Sequence, residues 1–169
     1  MSADPAPDWR SYTEEGGLYS SAEHFEAMQK LIVFSLNDEW FGLEVGSVRE
    51  ITPPMAAHWM PFVPRHIAGF IHLRGDIISV TNLKMVLGLA GESAANPRLV
   101  VIVEQDMATA LMADGAVEVL DVPVSQMDGS FSSFGSEKEK WFKAKVQESS
   151  RFIAILDAAK LLESTRVKK

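Results

Sequence analysis

The chain has 169 residues, no cysteine, 47% hydrophobic content and a formal net charge of −7. That length supports one domain with a full core or two small subdomains sharing one, and that apolar content excludes an intrinsically disordered chain. The missing cysteine excludes disulfides, thiolate zinc sites, iron–sulfur clusters and thiol nucleophiles, while the acidic balance argues against nonspecific binding to nucleic acid or an anionic membrane.

The N-terminus "MSADPAPDWR" lacks a basic start and an apolar run, so it does not read as a signal peptide. No apolar run approaches membrane-spanning length, and the protein is expected in the cytoplasm. Residues 1–28 read as an acidic, flexible extension, with Pro5, Pro7, Gly16 and Gly17. Within "SSAEHFEAMQK", Ser20 and Glu23 fit a capping box, which suggests a short helix toward Lys30. Residues 1–30 hold six acids against Arg10 and Lys30, whereas residues 137–169 hold nine Lys/Arg against five acids.

The globular pattern opens at "LIVFSLNDEWFGLEV", a β-hairpin turning at Asn37-Asp38. "GSVREI" reads as a helical turn that "TPPM" ends, because proline cannot continue a helix. Residues 53–64, with four prolines, form an extended loop. "HIAGFIHLRGDIISVTNL" follows as two strands, Ile67–Leu73 and Ile77–Leu83, joined at Gly75-Asp76. There Gly75 serves as the structural turn residue that accepts positive φ. Asn82 caps a short helix "LKMVL" that Gly88 ends, and residues 90–97 form a linker. The second half repeats this style without a fixed-period repeat. "RLVVIVEQD" is a strand turning near Gln105–Met107, and "ATALMADGAVEVLDV" is two strands around a bend at Asp114-Gly115. Residues 125–139 are a Ser/Gly-rich loop, "KWFKAKVQESSRFIAIL" is a hairpin turning near Glu148–Ser150, and "DAAKLLES" is a helix capped by Asp157. Many short strands with scraps of helix mean an all-β fold of one or two small barrels.

Catalytic chemistry finds little support. His66 and His72 could face the same way on a strand, but His24, His58, His66 and His72 match no zinc spacing. The serines of "GSFSSFGS" form no nucleophile elbow, and the glycines fit neither nucleotide fingerprint. Arg74-Gly75-Asp76 is also a cell-adhesion tripeptide, a reading that needs secretion. The residues alone point to a binding module without a cofactor or metal, and a small enzyme or metal-binding β protein is the contrasting reading.

At these residues the sequence resembles the CheW family of bacterial chemosensory coupling proteins. "IAGFIHLRGDIISVTNL" follows the family pattern v-x-G-v-i-n-L-R-G-x-i-i-P-V-v-D-L. "LIVFSLNDEWFGLEVGSVREI" resembles its opening hairpin and V-x-E-I turn, and "FVPRHIAG" its approach to the core motif. "ALMADGAVEVLDVP" resembles the segment around V-D-x-V, and "RFIAILDAAKLL" the closing L-L-D-x-x-x-L-L. The matches lie in order over about residues 30–163. The family's usual proline stands here as Ser79, its aspartate as Asn82, its later glycine as Ala144, and Ala113 precedes Asp114.

The resemblance implies two SH3-like five-stranded β-barrel subdomains on a shared core within residues 29–165. The first would run over roughly 30–89 and the second over roughly 97–160, with strand exchange allowed between them, ahead of a basic tail at 166–169. It implies a non-enzymatic adaptor that couples the cytoplasmic tips of chemoreceptors to the regulatory domain of the histidine kinase CheA. A module of a non-flagellar pathway such as pilus motility, or one binding only the kinase, is the alternative within that family. The resemblance places Val48, Glu50, Gly69 and Arg74 on the receptor side. Arg74 is expected to pair with Glu50 across the first barrel, beside exposed Val48 and Ile51, with the kinase face on other strand edges and loops of that barrel.

Overall fold

The computed structural model describes residues 25–130 and 136–166. The expected leader up to His24, the Ser20/Glu23 capping box, residues 131–135 of the Ser/Gly-rich loop and residues 167–169 of the tail lie outside that range. Ten strands and three short helices follow one another: β1 (Met28–Leu36), β2 (Glu39–Glu44), β3 (Val48–Thr52), β4 (Ile67–Leu73), β5 (Asp76–Thr81), α1 (Leu83–Leu87), β6 (Arg98–Glu104), β7 (Met107–Ala113), β8 (Val117–Pro123), α2 (Ser136–Glu139), β9 (Phe142–Glu148), β10 (Arg151–Leu156) and α3 (Ala158–Thr165). The all-β class is the one expected.

Four two-residue turns set the hairpins. Asn37, Arg74, Gln105 and Ser149 each take left-handed backbone, with φ of 55, 51, 53 and 54°, which matches the twist of the strands they join. The central turn is Arg74-Gly75, one residue earlier than expected, and Asp76 already belongs to β5. Gly75, at φ 91°, meets nothing within 4 Å of a built Cβ, so conformation alone selects it. Asn82 caps α1 by accepting from the Met85 amide at 3.3 Å, and left-handed Gly88 ends it. Asp157 caps α3 through the Lys160 amide in the same way. Both caps fall where the sequence puts them.

Two local expectations give way to strand pairing. The helix toward Lys30 does not form in the described part: Met28–Lys30 open β1, where Met28 pairs with Pro123 and Lys30 with Asp121. Ladder pairing overrides a weak local helix signal. Of "GSVREI", only Gly46 and Ser47 join a 3-10 turn, which begins at Val45. Val48–Thr52 is a strand because its backbone pairs with β6.

The strands form two five-stranded sheets. Sheet I has the order β8-β1-β2-β10-β9 and sheet II the order β3-β6-β7-β5-β4. The strands exchange between the ranges 30–89 and 97–160, as the expectation allowed. Sheet I joins the first hairpin to three strands of the second half, and sheet II joins β6 and β7 to three strands of the first. In each sheet one parallel pair, β2 with β10 or β5 with β7, makes the seam between the two contributions.

Alternation along β1 and β6 explains the core. Leu31 and Val33 face a cluster belonging to sheet I alone, with Val122, Val146, Ile153 and Ile155. Leu99 and Val101 face a cluster belonging to sheet II alone, with Ile71, Ile78, Val80 and Ala110. Their alternate neighbours, Ile32, Phe34, Val100 and Ile102, meet in a central cluster between the sheets, with Leu83 and Leu87 of α1 and Leu161 and Leu162 of α3. These two strands are buried on both faces, so they read as continuous apolar runs rather than as alternating ones.

Candidate functional site

Strand β3 of sheet II and the turn that follows β4 carry the charged residues that the sequence singles out. Glu50 lies on β3, whose side chains alternate between half-buried and exposed from Val48 to Ile51, ahead of buried Thr52. Arg74 lies at the tip of the β4–β5 hairpin. Its Nε donates to Glu50 Oε2 at 2.9 Å, so the expected pair forms. It spans opposite edges of sheet II rather than a barrel made of residues 30–89. Arg49 adds a second link, donating to Asp76 Oδ2 at 3.0 Å and lying 3.8 Å from Glu50. The whole Arg-Gly-Asp tripeptide is thus held against β3. Arg74 is 69% exposed and Glu50 20%, so the pair adds only a fraction of a kcal/mol to stability. Its larger consequence is positional: it fixes charge at a known place on the surface.

Gly69 stands on β4 where the proline-rich loop lies down on the sheet. The His58 amide donates to Phe70 O at 2.8 Å, and the Phe70 amide donates to His58 O at 2.9 Å. A Cβ at Gly69 would sit 2.7 Å from His58 O. Gly69 is therefore needed for backbone approach. Val48 is half-buried against the central cluster rather than exposed as expected, because β3 turns that face inward. Ile51, at 36% exposure, does face out.

Beside the charged network runs a groove of about 540 Å³, bounded by Arg49 and Asp76, Ile77, the β6–β7 turn and the end of α3. Ile77 is 76% exposed. Phe152 occupies the equivalent place on β10, the second residue after its turn, and is 65% exposed. Sequence reasoning did not single out this pair, although a signal existed. In "DII" and "RFI" two adjacent apolar residues share a strand, and only one of each can face the core.

Two polar clusters inside the molecule were also missed. Lys84 and Asp114 form a buried ion pair at 2.6 Å. Lys84 Nζ also donates to Glu92 O at 2.7 Å, and Asp114 accepts from the Asn37 and Ala94 amides at 2.8 and 3.3 Å. Burial pushes the Asp114 carboxyl up, but those bonds and Lys84 outweigh it and hold the pKa below its ordinary value. Ser79, where the resembled family has proline, shares a hydroxyl contact of 2.8 Å with Thr109, which also meets Thr81 at 2.7 Å. These hydroxyls line the parallel seam of sheet II.

The histidines do not converge. His72 is exposed on β4, whereas half-buried His66 precedes it. Burial lowers the His66 pKa, opposed by a hydrogen bond to the Ser164 backbone. Among the described residues no three His, Asp or Glu side chains gather as a metal-ligand set.

A family model described as the CheW-like domain matches residues 30–166. The chemotaxis protein CheW of Bacillus subtilis is 26% identical over 136 residues, covering 80% of this chain and 87% of that protein. That of Thermotoga maritima is 24% identical over 152 residues, covering 90% and 97%. That of Rhizobium meliloti is 33% identical over 110 residues, covering 62% and 69%. Among solved structures, the scaffolding protein TtCheW from Thermoanaerobacter tengcongensis shares the fold, with a TM-score of 0.70 at 23% identity over 79% of this chain and 87% of that one.

Proposed function

Because this chain belongs to the CheW-like domain family, we propose that it is a non-enzymatic adaptor of bacterial chemotaxis. In this reading it couples the cytoplasmic tips of chemoreceptors to the regulatory domain of the histidine kinase CheA. The observation that carries the reading is the Arg74–Glu50 pair at 2.9 Å beside an open groove. A charged pair fixed on a sheet edge next to apolar surface suits the end of an amphipathic helix, which brings both an apolar face and polar partners.

Glu50 and Arg74 orient the receptor tip, Gly69 keeps the loop pressed on β4 behind them, and Val48 supports β3 from the core side. Ile51 and Ile77 supply burial at about 25 cal/mol per Å². The kinase takes other strand edges and loops of residues 30–89, away from the Arg74–Glu50 pair, and the adaptor works in the cytoplasm. No helix among the described residues is long and apolar enough to cross a membrane.

The test is a binding titration against the CheA regulatory domain and against a soluble receptor-tip fragment. Wild type should bind both. Arg74→Ala should lose the receptor fragment and keep the kinase domain. Binding to the kinase alone would leave the adaptor role without its receptor half. Binding to neither would confine the resemblance to the fold.

A further inference from the structure

We propose that the acidic segment ahead of Phe25 docks, within the same molecule, into an aromatic groove with a basic rim between the proline-rich loop and α3. The groove shares Arg166 with the one beside the charged network and none of its other lining residues. Phe62, Val63 and Trp141 form its apolar wall, and Lys140, Lys160 and Arg166 its rim, with Glu163 the single acid among its lining residues.

The wall is unusual on two counts. Phe62 is 100% exposed, and its backbone is left-handed at φ 64°, a conformation costly for a bulky residue. Trp59 and Met60 on the same loop are 74% and 48% exposed. A strained, uncovered aromatic is what a binding surface retains and a solvated loop does not.

The rim selects the occupant by charge. Lys140 lies 4.7 Å from the Trp141 ring, and Lys160 reaches Asp157 only at 3.9 Å, so the cations are available to another acid. Residues 1–24 carry Asp4, Asp8, Glu14, Glu15 and Glu23 against Arg10, and interleave Trp9, Tyr12 and Tyr19. That pattern complements both the rim and the wall. The tether is long enough: 24 residues extend up to roughly 80 Å, against a radius of gyration of about 15 Å for a domain this size. Tethering also raises the effective concentration of a weak ligand, so a modest contact suffices.

The absence of cysteine gives a clean test. A nitroxide attached to Ser11→Cys in the full chain should broaden the amide signals of Val63, Trp141 and Ser164 selectively. Adding Lys140→Glu, Lys160→Glu and Arg166→Glu should abolish the broadening, as should about 1 M salt, where the screening length falls to about 3 Å. Phe62→Gly, which suits the left-handed backbone and leaves the fold intact, should weaken it. Absent broadening, or broadening spread evenly over the surface, overturns the proposal. So does broadening seen on unlabelled ¹⁵N chains mixed with labelled ¹⁴N chains, which would seat the segment on a second copy.

Discussion

The halves 28–87 and 98–165 carry the same succession of elements, a hairpin, a single strand, a second hairpin and a capped helix, with α2 added before the second hairpin of the later half. Each sheet also uses the same clasp. In sheet II, Arg74 at the β4–β5 tip reaches Glu50 on β3. In sheet I, Arg151 beside the β9–β10 turn reaches Glu118 on β8 at 2.5 Å. The surroundings differ. Arg151 is 23% exposed, is bound also by Glu148 and lies 4.3 Å from the Trp40 ring. Burial works against its charge, but the bonds to Glu148 and Glu118 outweigh that and raise its pKa. Among the described residues no ring lies over Arg74, which stands mostly in water. One device is built into packing and the other is left open, and only the open one has charge to offer a partner.

The comparison breaks hardest at the junction of the halves, which has no duplicate. Asp114→Ala should leave Lys84 buried without its carboxylate and cost about 3 kcal/mol, read from urea unfolding. Because the folded pKa of Asp114 is lowered, its contribution is complete above the ordinary aspartate pKa. It fades as pH falls through the folded one. The pH dependence of stability below about 4 should therefore flatten in Asp114→Asn.

Next come the paired positions beside the two isolated bridges. Gly69 precedes Phe70, which bridges His58, and Ala144 precedes Lys145, which bridges Asp128. Gly69→Ala should cost about 2 kcal/mol, because its Cβ meets backbone oxygen. Ala144 already packs its methyl in the sheet I cluster, so Ala144→Gly should cost only about 1 kcal/mol. Equal losses would mean that the two loops lie equally close.

The clasps themselves should separate stability from binding. Arg151→Ala should lower stability by about 1–2 kcal/mol. Arg74→Ala should lower it by less than about 1 kcal/mol while removing receptor binding. The smallest effect concerns His66. Its lowered pKa means that stability present above the ordinary histidine value is lost as pH falls through the folded one. Thermal unfolding should show a slight loss as pH falls below the ordinary histidine value of about 6.5, and His66→Gln should remove it.

Local chemistry was legible in the sequence wherever one residue type decides it. Asn82, Asp157 and Gly88 mark their helix ends because a cap needs an acceptor or a left-handed residue. The central turn was misplaced by one because Arg74, an unexpected left-handed residue, takes the position ahead of Gly75. Sheet membership was not legible. Alternation reports which face a residue occupies, but not that Met28 pairs with Pro123 or Arg98 with Ala113. The Glu50–Arg74 pair was reachable only through the family resemblance, since the residues come together across the open side of a sheet. Arg49–Asp76 followed from the shifted turn and so escaped notice.

Neither half of the chain holds a complete sheet. As the protein leaves the ribosome, β1 and β2 must wait for β8, β9 and β10, and β3–β5 must wait for β6 and β7, so the emerging chain spends time with open edges and folds late. The same arrangement makes the domain divisible. Cut in the linker at residues 90–96, it becomes two pieces that each lack what the other carries, and a signal appears only where the two meet.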